Sequence, residues 1–148
     1  MGMIADSMVD EWLKSQSKTD KIYRLIEKST WDWYPEERIL AITALGNSGD
    51  PRAVRSLIDC CQDQSPQIRL RAIEGLRNLR SGRAVEALIE RLRDKKELLK
   101  TRLRAAAALA TIRSFGAIRE LRNLHADPDE DGTLRTFIGW ELYRARLW

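Results

Sequence analysis

PEERILAITALGNSGDPRAVRSLID runs from Pro35 to Asp59, and the chain repeats most of it twice more. The alanine-bearing part, RILAITAL from Arg38, returns as RLRAIEGL from Arg69 and RLRAAAAL from Arg102. The part after the break, AVRSLID from Ala53, returns as AVEALIE from Ala84 and AIRELRN from Ala117. Both parts step by 31 residues and then by 33, so they belong to one unit repeating in register. A fixed period of this size predicts a solenoid, in which each unit buries its apolar face only against its neighbours.

Within the unit the apolar spacing is helical twice over. Ile39, Ile42 and Leu45 form a stripe, and Ala41 and Ala44 allow close approach of another helix. Pro35 suits a first helical position, and Glu36 and Glu37 complement the dipole there. Gly46 stops this first helix, and Asp50–Pro51 restarts the chain as cap and first residue of a second. On that second helix Val54, Leu57, Ile58 and Cys61 recur at i, i+3, i+4 and i+7. The next unit reuses the devices: Ser65–Pro66 as the start, Leu70, Ile73 and Leu76 with Ala72 and Gly75 as the stripe, Ser81–Gly82 at the turn, then Val85, Leu88, Ile89 and Leu92. The charged linker RDKKELLK accounts for the lengthened step. In the third unit AAAALA from Ala105 is a strong helix former, Ser114 caps the following helix, and Ile118, Leu121 and Leu124 face inward.

The ends depart from the pattern. Ile4, Met8, Trp12 and Leu13, then Ile22, Leu25 and Ile26, make a degenerate leading unit that would cap the stack. After the break HADPDEDG, one more helix is expected from Thr133 to about Leu147. Its first face is Leu134, Phe137, Ile138, Leu142 and Ala145; Trp140, Tyr143 and Leu147 form a second. The expected organisation is one domain over 1–148: a capping unit at 1–34, full units at 35–65, 66–99 and 100–131, and a terminal half-unit helix at 132–148. The fold class is all-α, a right-handed superhelix of paired antiparallel helices.

Composition agrees with a compact, ordered chain. Of 148 residues, 32% are charged and 43% hydrophobic. No apolar run approaches the ~18 residues that would span a bilayer. The first residues lack a basic flank and a secretory apolar block, and Asp6 stands where a myristoylation signal wants Ser or Thr. Cys60 and Cys61 are adjacent and would point about 100° apart on a helix, so no disulfide is expected between them. Cys61 reads as a small core residue and Cys60 as its more exposed neighbour. A cytoplasmic location is the expectation. The net charge of +4 divides unevenly: −3 over 1–65, +9 over 66–125 and −2 beyond. A basic middle raises the question of an anionic partner.

The pattern proline–x–x–arginine–x–x–alanine, then leucine–glycine, then Gly49–Asp50–Pro51 and alanine–valine resembles HEAT repeats, specifically the short HEAT-like repeats of phycobilisome (bilin) lyase subunits. The second unit has Arg80–Ser81–Gly82 in place of Gly–Asp–Pro, and the third lacks both prolines. The resemblance covers residues 20 to 148. It implies a HEAT-like superhelix whose second helices line the concave surface, and an accessory role in a lyase-type assembly as one function. No residue is carried over as catalytic.

The residues give no sign of a reaction centre: no catalytic, cofactor-binding or metal-ligating residue is assigned, and no cofactor. Deoxyhypusine hydroxylase, a HEAT-repeat iron enzyme, resembles this fold but needs paired His–Glu motifs, and this chain has one histidine, His125. His125 reads as a surface residue at a helix end, and DPDED at Asp127–Asp131 as a solvated acidic turn that lacks EF-hand spacing. The series Arg38, Arg69, Arg102 and Arg135 has two readings, a ladder for phosphates or a set of bridges to the neighbouring unit; its regularity favours bridges. Outward positions of the second helices fall in columns: Arg52 and Arg83; Arg55, Glu86 and Arg119; Asp59, Glu90 and Asn123. These mix signs, as a protein partner would want. Trp31, Trp33 and Tyr34 crowd one loop, where Trp31 and Trp33 read as core plugs, whereas Trp140, Tyr143 and Trp148 on the last helix are interface candidates. The function expected is a non-catalytic scaffold binding another protein through the second-helix surface, the aromatic last helix, or both, with a homodimer through that helix as one form. The alternative is nucleic-acid binding through the basic middle, as HEAT-like DNA glycosylases grip DNA. No membrane partner is expected.

Overall fold

The computed structural model describes residues 8, 10, 11, 19–30 and 34–147, and the regular elements among them are all helical. A helix over 19–28 (α1) precedes α2 (Pro35–Asn47), α3 (Ala53–Cys60) and α4 (Pro66–Leu79). A 3-10 turn at Gly82–Ala84 leads into α5 (Val85–Arg93), and α6 (Leu99–Ile112), α7 (Phe115–Ala126) and α8 (Gly132–Arg144) follow. The pairs α2/α3, α4/α5 and α6/α7 stack into an α–α superhelix closed by α8. Ile4, Trp12, Leu13, Trp31, Trp33 and Trp148 lie outside the described residues.

Local chemistry sets most helix starts. Ser65 Oγ accepts from the Ile68 N–H and Ser114 Oγ from the Ala117 N–H, while Asp131 opens α8 by accepting from the Leu134 N–H at 2.9 Å. Asp50 instead accepts from the Arg52 N–H at 2.9 Å, so it shapes a turn and α3 begins two residues later than Pro51.

The core is a continuous seam through the stack. Ile42, Leu45, Leu57, Ile73, Leu76, Leu88, Leu92, Leu109, Leu121, Leu134, Ile138 and Leu142 are fully buried. Ile39 and Leu70, expected in the stripe, are only half-buried; Ile68 takes the inner place on α4. Cys60 is buried along with Cys61, because Ser29 at the end of the leading unit covers it. That unit is pinned by a buried hydrogen bond between the Ser29 and Ser56 hydroxyls at 2.8 Å.

The first helices, α2, α4, α6 and α8, pack closely in one row, and small residues allow it. A Cβ placed on Gly46 would stand 2.5 Å from the Gly75 Cα, so two backbones meet where only glycine fits. On α6, Ala105, Ala106 and Ala108 are wholly buried between neighbours. Grooves open between the second helices, α3, α5 and α7. In a curved double layer the closer-packed row is the inner one. The expectation that the second helices are concave is therefore reversed: glycine and alanine draw the first helices to the inside of the curve.

The arginine series is a set of internal bridges. Arg102 donates from Nε to the Leu92 carbonyl at the end of α5 (2.8 Å) and bidentately to Glu130 in the loop before α8 (3.0 and 2.9 Å). Arg69 repeats this one unit earlier, holding the Asp63 carbonyl (2.8 Å) and both oxygens of Glu97 (2.7 and 2.9 Å). Arg38 holds the Ser29 carbonyl (2.6 Å) and Asp63 (2.5 Å), and Arg135 holds the His125 carbonyl (3.1 Å). Arg38, Arg69 and Arg102 thus each tie the end of one second helix to the loop that closes the next, and Arg135 makes the backward contact alone. The side chains of Arg102 and Glu130 are only 6% and 4% exposed, so the pair is dry and its geometry must be complete. The acidic break at Asp127–Asp131 is a solvated turn at Pro128, Asp129 and Asp131, as expected, but Glu130 within it is a buried partner and Asp131 also serves as a cap.

Three outcomes follow from this packing. Gly46→Ala forces backbone apart from backbone and should cost about 3 kcal/mol, the upper end of overpacking effects, read from the urea midpoint. Arg102→Ala leaves Glu130 buried and unpaired and should cost about 3–5 kcal/mol, while the double replacement Arg102→Met with Glu130→Leu should recover most of it. The hydrogen bonds from Arg102 hold the Glu130 carboxyl below its usual 4.5. Burial pushes Glu97 up, but Arg69 and the Leu98 N–H outweigh it and hold that carboxyl below 4.5 as well. Both groups bind protons more readily in the unfolded chain, so their contribution is complete above pH 4.5 and lost as pH falls through the lower folded values. A thermal-midpoint series should fall on that acid side, and Glu130→Gln should flatten part of the fall.

Candidate interaction surfaces

The second helices carry the exposed candidates, and the structure sorts them. Arg83, Glu86 and Glu90 converge on a groove of about 650 Å³ between α3 and α5. Its floor is Ile58, Ala87 and Ile89; Gln62, Arg93 and Asp94 complete the rim, and Gln62 donates to Glu90 at 3.2 Å. Asn123 lines a second groove of about 400 Å³ beside Lys95, Asp127 and Glu130, between α5 and α7. The remaining candidates have neighbours of their own. Arg52 pairs with Asp50 at 2.6 Å and lies over the Tyr23 ring, Arg55 pairs with Asp59 at 3.4 Å, and Arg119 lies over the Phe115 ring at 5.7 Å. Arg93, on the rim, forks onto the buried Glu120, which keeps it upright between the two grooves.

Electrostatically the second-helix face is mixed. The Arg52 hydrogen bonds hold Asp50 below the usual carboxylate range, and Glu120 raises Arg93. Burial pushes the Cys61 thiol up to about 12, so it stays protonated and inert.

At the far end Trp140 and Tyr143 are 66% and 65% exposed and meet edge to face with ring centres 6.2 Å apart. They border a cleft of about 410 Å³ with His125, Thr136 and Gly139. His125 stands at the end of α7 as expected, but half-buried. Its Nδ1 lies 2.9 Å from the Arg135 carbonyl, and its ring rests on α8 where Gly139 leaves room; a Cβ there would stand 2.8 Å from the ring. The glycine inside an otherwise bulky helix was the sequence signal for that contact.

Sequence reasoning missed a third surface, the edge formed where the first helices end. Arg80, Arg113 and Arg146 all have left-handed backbones, with φ of 51°, 61° and 56°, and Gly49 takes the matching place in the first unit with φ 65°. A left-handed L-residue costs about 1–2 kcal/mol, and a cation on a helix C-terminus returns about 0.3–1 kcal/mol. The backbone alone would favour glycine at each. The signal was present: these arginines stand 33 residues apart, in step with the unit.

Among the described residues no group of three or more His, Cys, Asp or Glu side chains is placed to hold a metal ion, and no helix is long and apolar enough to cross a membrane.

The frame is shared with a solved structure, human deoxyhypusine hydroxylase in complex with glycerol. The two superpose with a TM-score of 0.75 at 25% sequence identity, over 84% of this chain and 43% of the hydroxylase. The chain thus spans less than half the length of that enzyme. No curated protein matches its sequence. A family model described as HEAT repeats matches residues 22–102, more than half of the chain. The 31- and 33-residue units, the paired helices and this match agree, and the chain belongs to the HEAT-repeat family.

Proposed function

We propose that this chain is a non-catalytic scaffold that binds another protein through its second-helix surface. The observation that carries the reading is the groove between α3 and α5. It has an apolar floor and a rim of both charge signs, with Arg83, Glu86 and Glu90 converging on it. Protein interfaces share that anatomy: an apolar centre that excludes water and a polar rim that sets register. The arginine series does not compete for a ligand, because its charge is used inside the stack.

The hydroxylase activity named for the structural neighbour is not carried into the proposal. The chain's single histidine, His125, is engaged with the Arg135 carbonyl, and Cys61 is a buried, protonated thiol. An accessory place in a bilin-lyase-type assembly, suggested by the form of the repeat, is one instance of the same partner-binding role. The exposed Trp140–Tyr143 pair supports a second contact at the end of the stack, to the same partner or to a second copy.

Arg83→Glu with Glu90→Arg tests the groove. Both residues are exposed, so stability should change by no more than about 0.5 kcal/mol. A protein captured from native extract by the wild-type chain should be lost, and should persist with Arg71→Glu on the opposite row. Equal capture by all three chains would remove the groove from the reading. Sedimentation at high concentration decides the end contact: a dimer that Trp140→Ser returns to monomer assigns the cleft to a second copy, and a monomer throughout leaves it to the partner.

A further inference from the structure

The edge where α4, α6 and α8 end concentrates positive charge, only part of which the fold uses. The Arg80 and Arg146 side chains make no hydrogen bond or ion pair among the described residues. Arg113 donates to the Ala145 carbonyl at 2.5 Å, and Arg144 to Glu141 at 2.5 Å. Arg80, Arg113 and Arg144 surround a shallow depression of about 270 Å³ floored by Ala110, Thr111 and Ala145, and Glu141 is the one carboxylate in its lining. Next along the chain from Arg113 and Ser114, Phe115 opens α7 with 83% of its surface exposed.

Gly49 shows that this turn closes without a side chain. The three later units nevertheless carry arginine there, on a backbone conformation that disfavours it, so the turn itself does not call for the side chain. A guanidinium fork matches a phosphate group, and one fork per repeat presents a row to a polymer of phosphates. Phe115, two residues along the chain from Arg113, is strongly exposed and has Arg119 over one face, which leaves the other face open for a base to stack on.

We propose that this edge binds single-stranded nucleic acid, with phosphates on Arg80, Arg113 and Arg144 and a base on Phe115. A duplex keeps its base faces stacked and leaves Phe115 unused. An acidic peptide would use the arginines but has no flat ring to place on Phe115. The edge lies away from the α3–α5 groove, so the inference stands apart from the scaffold reading.

The probe is a 5′-fluorescein-labelled dT 12-mer, with anisotropy read in 50 and 200 mM salt. Three engaged phosphates predict binding about 20-fold weaker at the higher salt, from a slope of about −0.7 per phosphate. Phe115→Ala should weaken binding about 5- to 150-fold. Arg80→Gly is the discriminating variant, because it relieves the backbone. Its thermal midpoint should hold or rise while binding falls several-fold and the salt slope shrinks by about 0.7. If arginine served only the helix end, Arg80→Gly would bind as the wild type does, and the proposal fails. It fails equally if the 12-mer does not bind in 50 mM salt. Binding of a labelled 12-bp duplex as tight as that of the 12-mer also overturns it. A 12-residue polyglutamate binding that tightly does so too, and assigns the edge to an acidic chain.

Discussion

Arg102 lies between the last carbonyls of α5 and the carboxylate of Glu130, and the stack depends on that bridge and its copies. A solenoid unit cannot bury its apolar face alone, so each needs something that fixes the angle and distance of the next. Leucine packing supplies attraction but little direction. The arginine fork supplies direction, because its donors lie in one plane and reach a carbonyl behind and a carboxylate ahead. Arg69 and Glu97 repeat the arrangement, Arg38 and Asp63 approximate it, and Arg135 keeps the backward half through the His125 carbonyl.

The bridges also decide which surfaces remain for other molecules. They draw charge inward as neutral pairs, Arg38 with Asp63, Arg69 with Glu97 and Arg102 with Glu130, so these regularly spaced arginines are not on offer to a ligand. Outside those pairs the second-helix face mixes both signs, and further cations stand at the edge where the first helices end. Close packing through Gly46 and Gly75 sets the curvature. It opens grooves between α3, α5 and α7, and the α3–α5 groove gathers Arg83, Glu86 and Glu90 around an apolar floor.

Three surfaces therefore differ in physical kind. The second-helix groove has an apolar floor and a mixed rim. The end of α8 presents two aromatic rings and a half-buried histidine. The turn edge presents a cluster of arginines, with Arg113 on a carbonyl and Arg144 on Glu141, and one exposed phenylalanine under Arg119. They share two residues with the bridges that hold the fold: Glu130, which reaches the rim of the smaller groove, and His125, whose carbonyl holds Arg135 and whose ring lines the end cleft. Surface replacements elsewhere on these faces can be read for binding without the frame giving way.

The sequence by itself determined the repeat, the pairing of helices and most of their caps, because these depend on residues within a few positions of one another. Ser65, Ser114 and the apolar stripes are local facts. It also exposed the regularity of Arg38, Arg69, Arg102 and Arg135. Their acidic partners escaped notice, since Glu97 lay in a charged linker and Glu130 in an acidic break. Each stands 28 residues from its arginine, a distance that matters only once the units are stacked. Tertiary structure decided the rest. It put the first helices on the inside of the curve, buried Cys60 beneath the leading unit, and seated His125 against Gly139. It also gave Arg80, Arg113 and Arg146 a conformation that periodicity alone cannot show. Those outcomes depend on how closely backbones can approach across units, and that closeness is a property of the assembled stack.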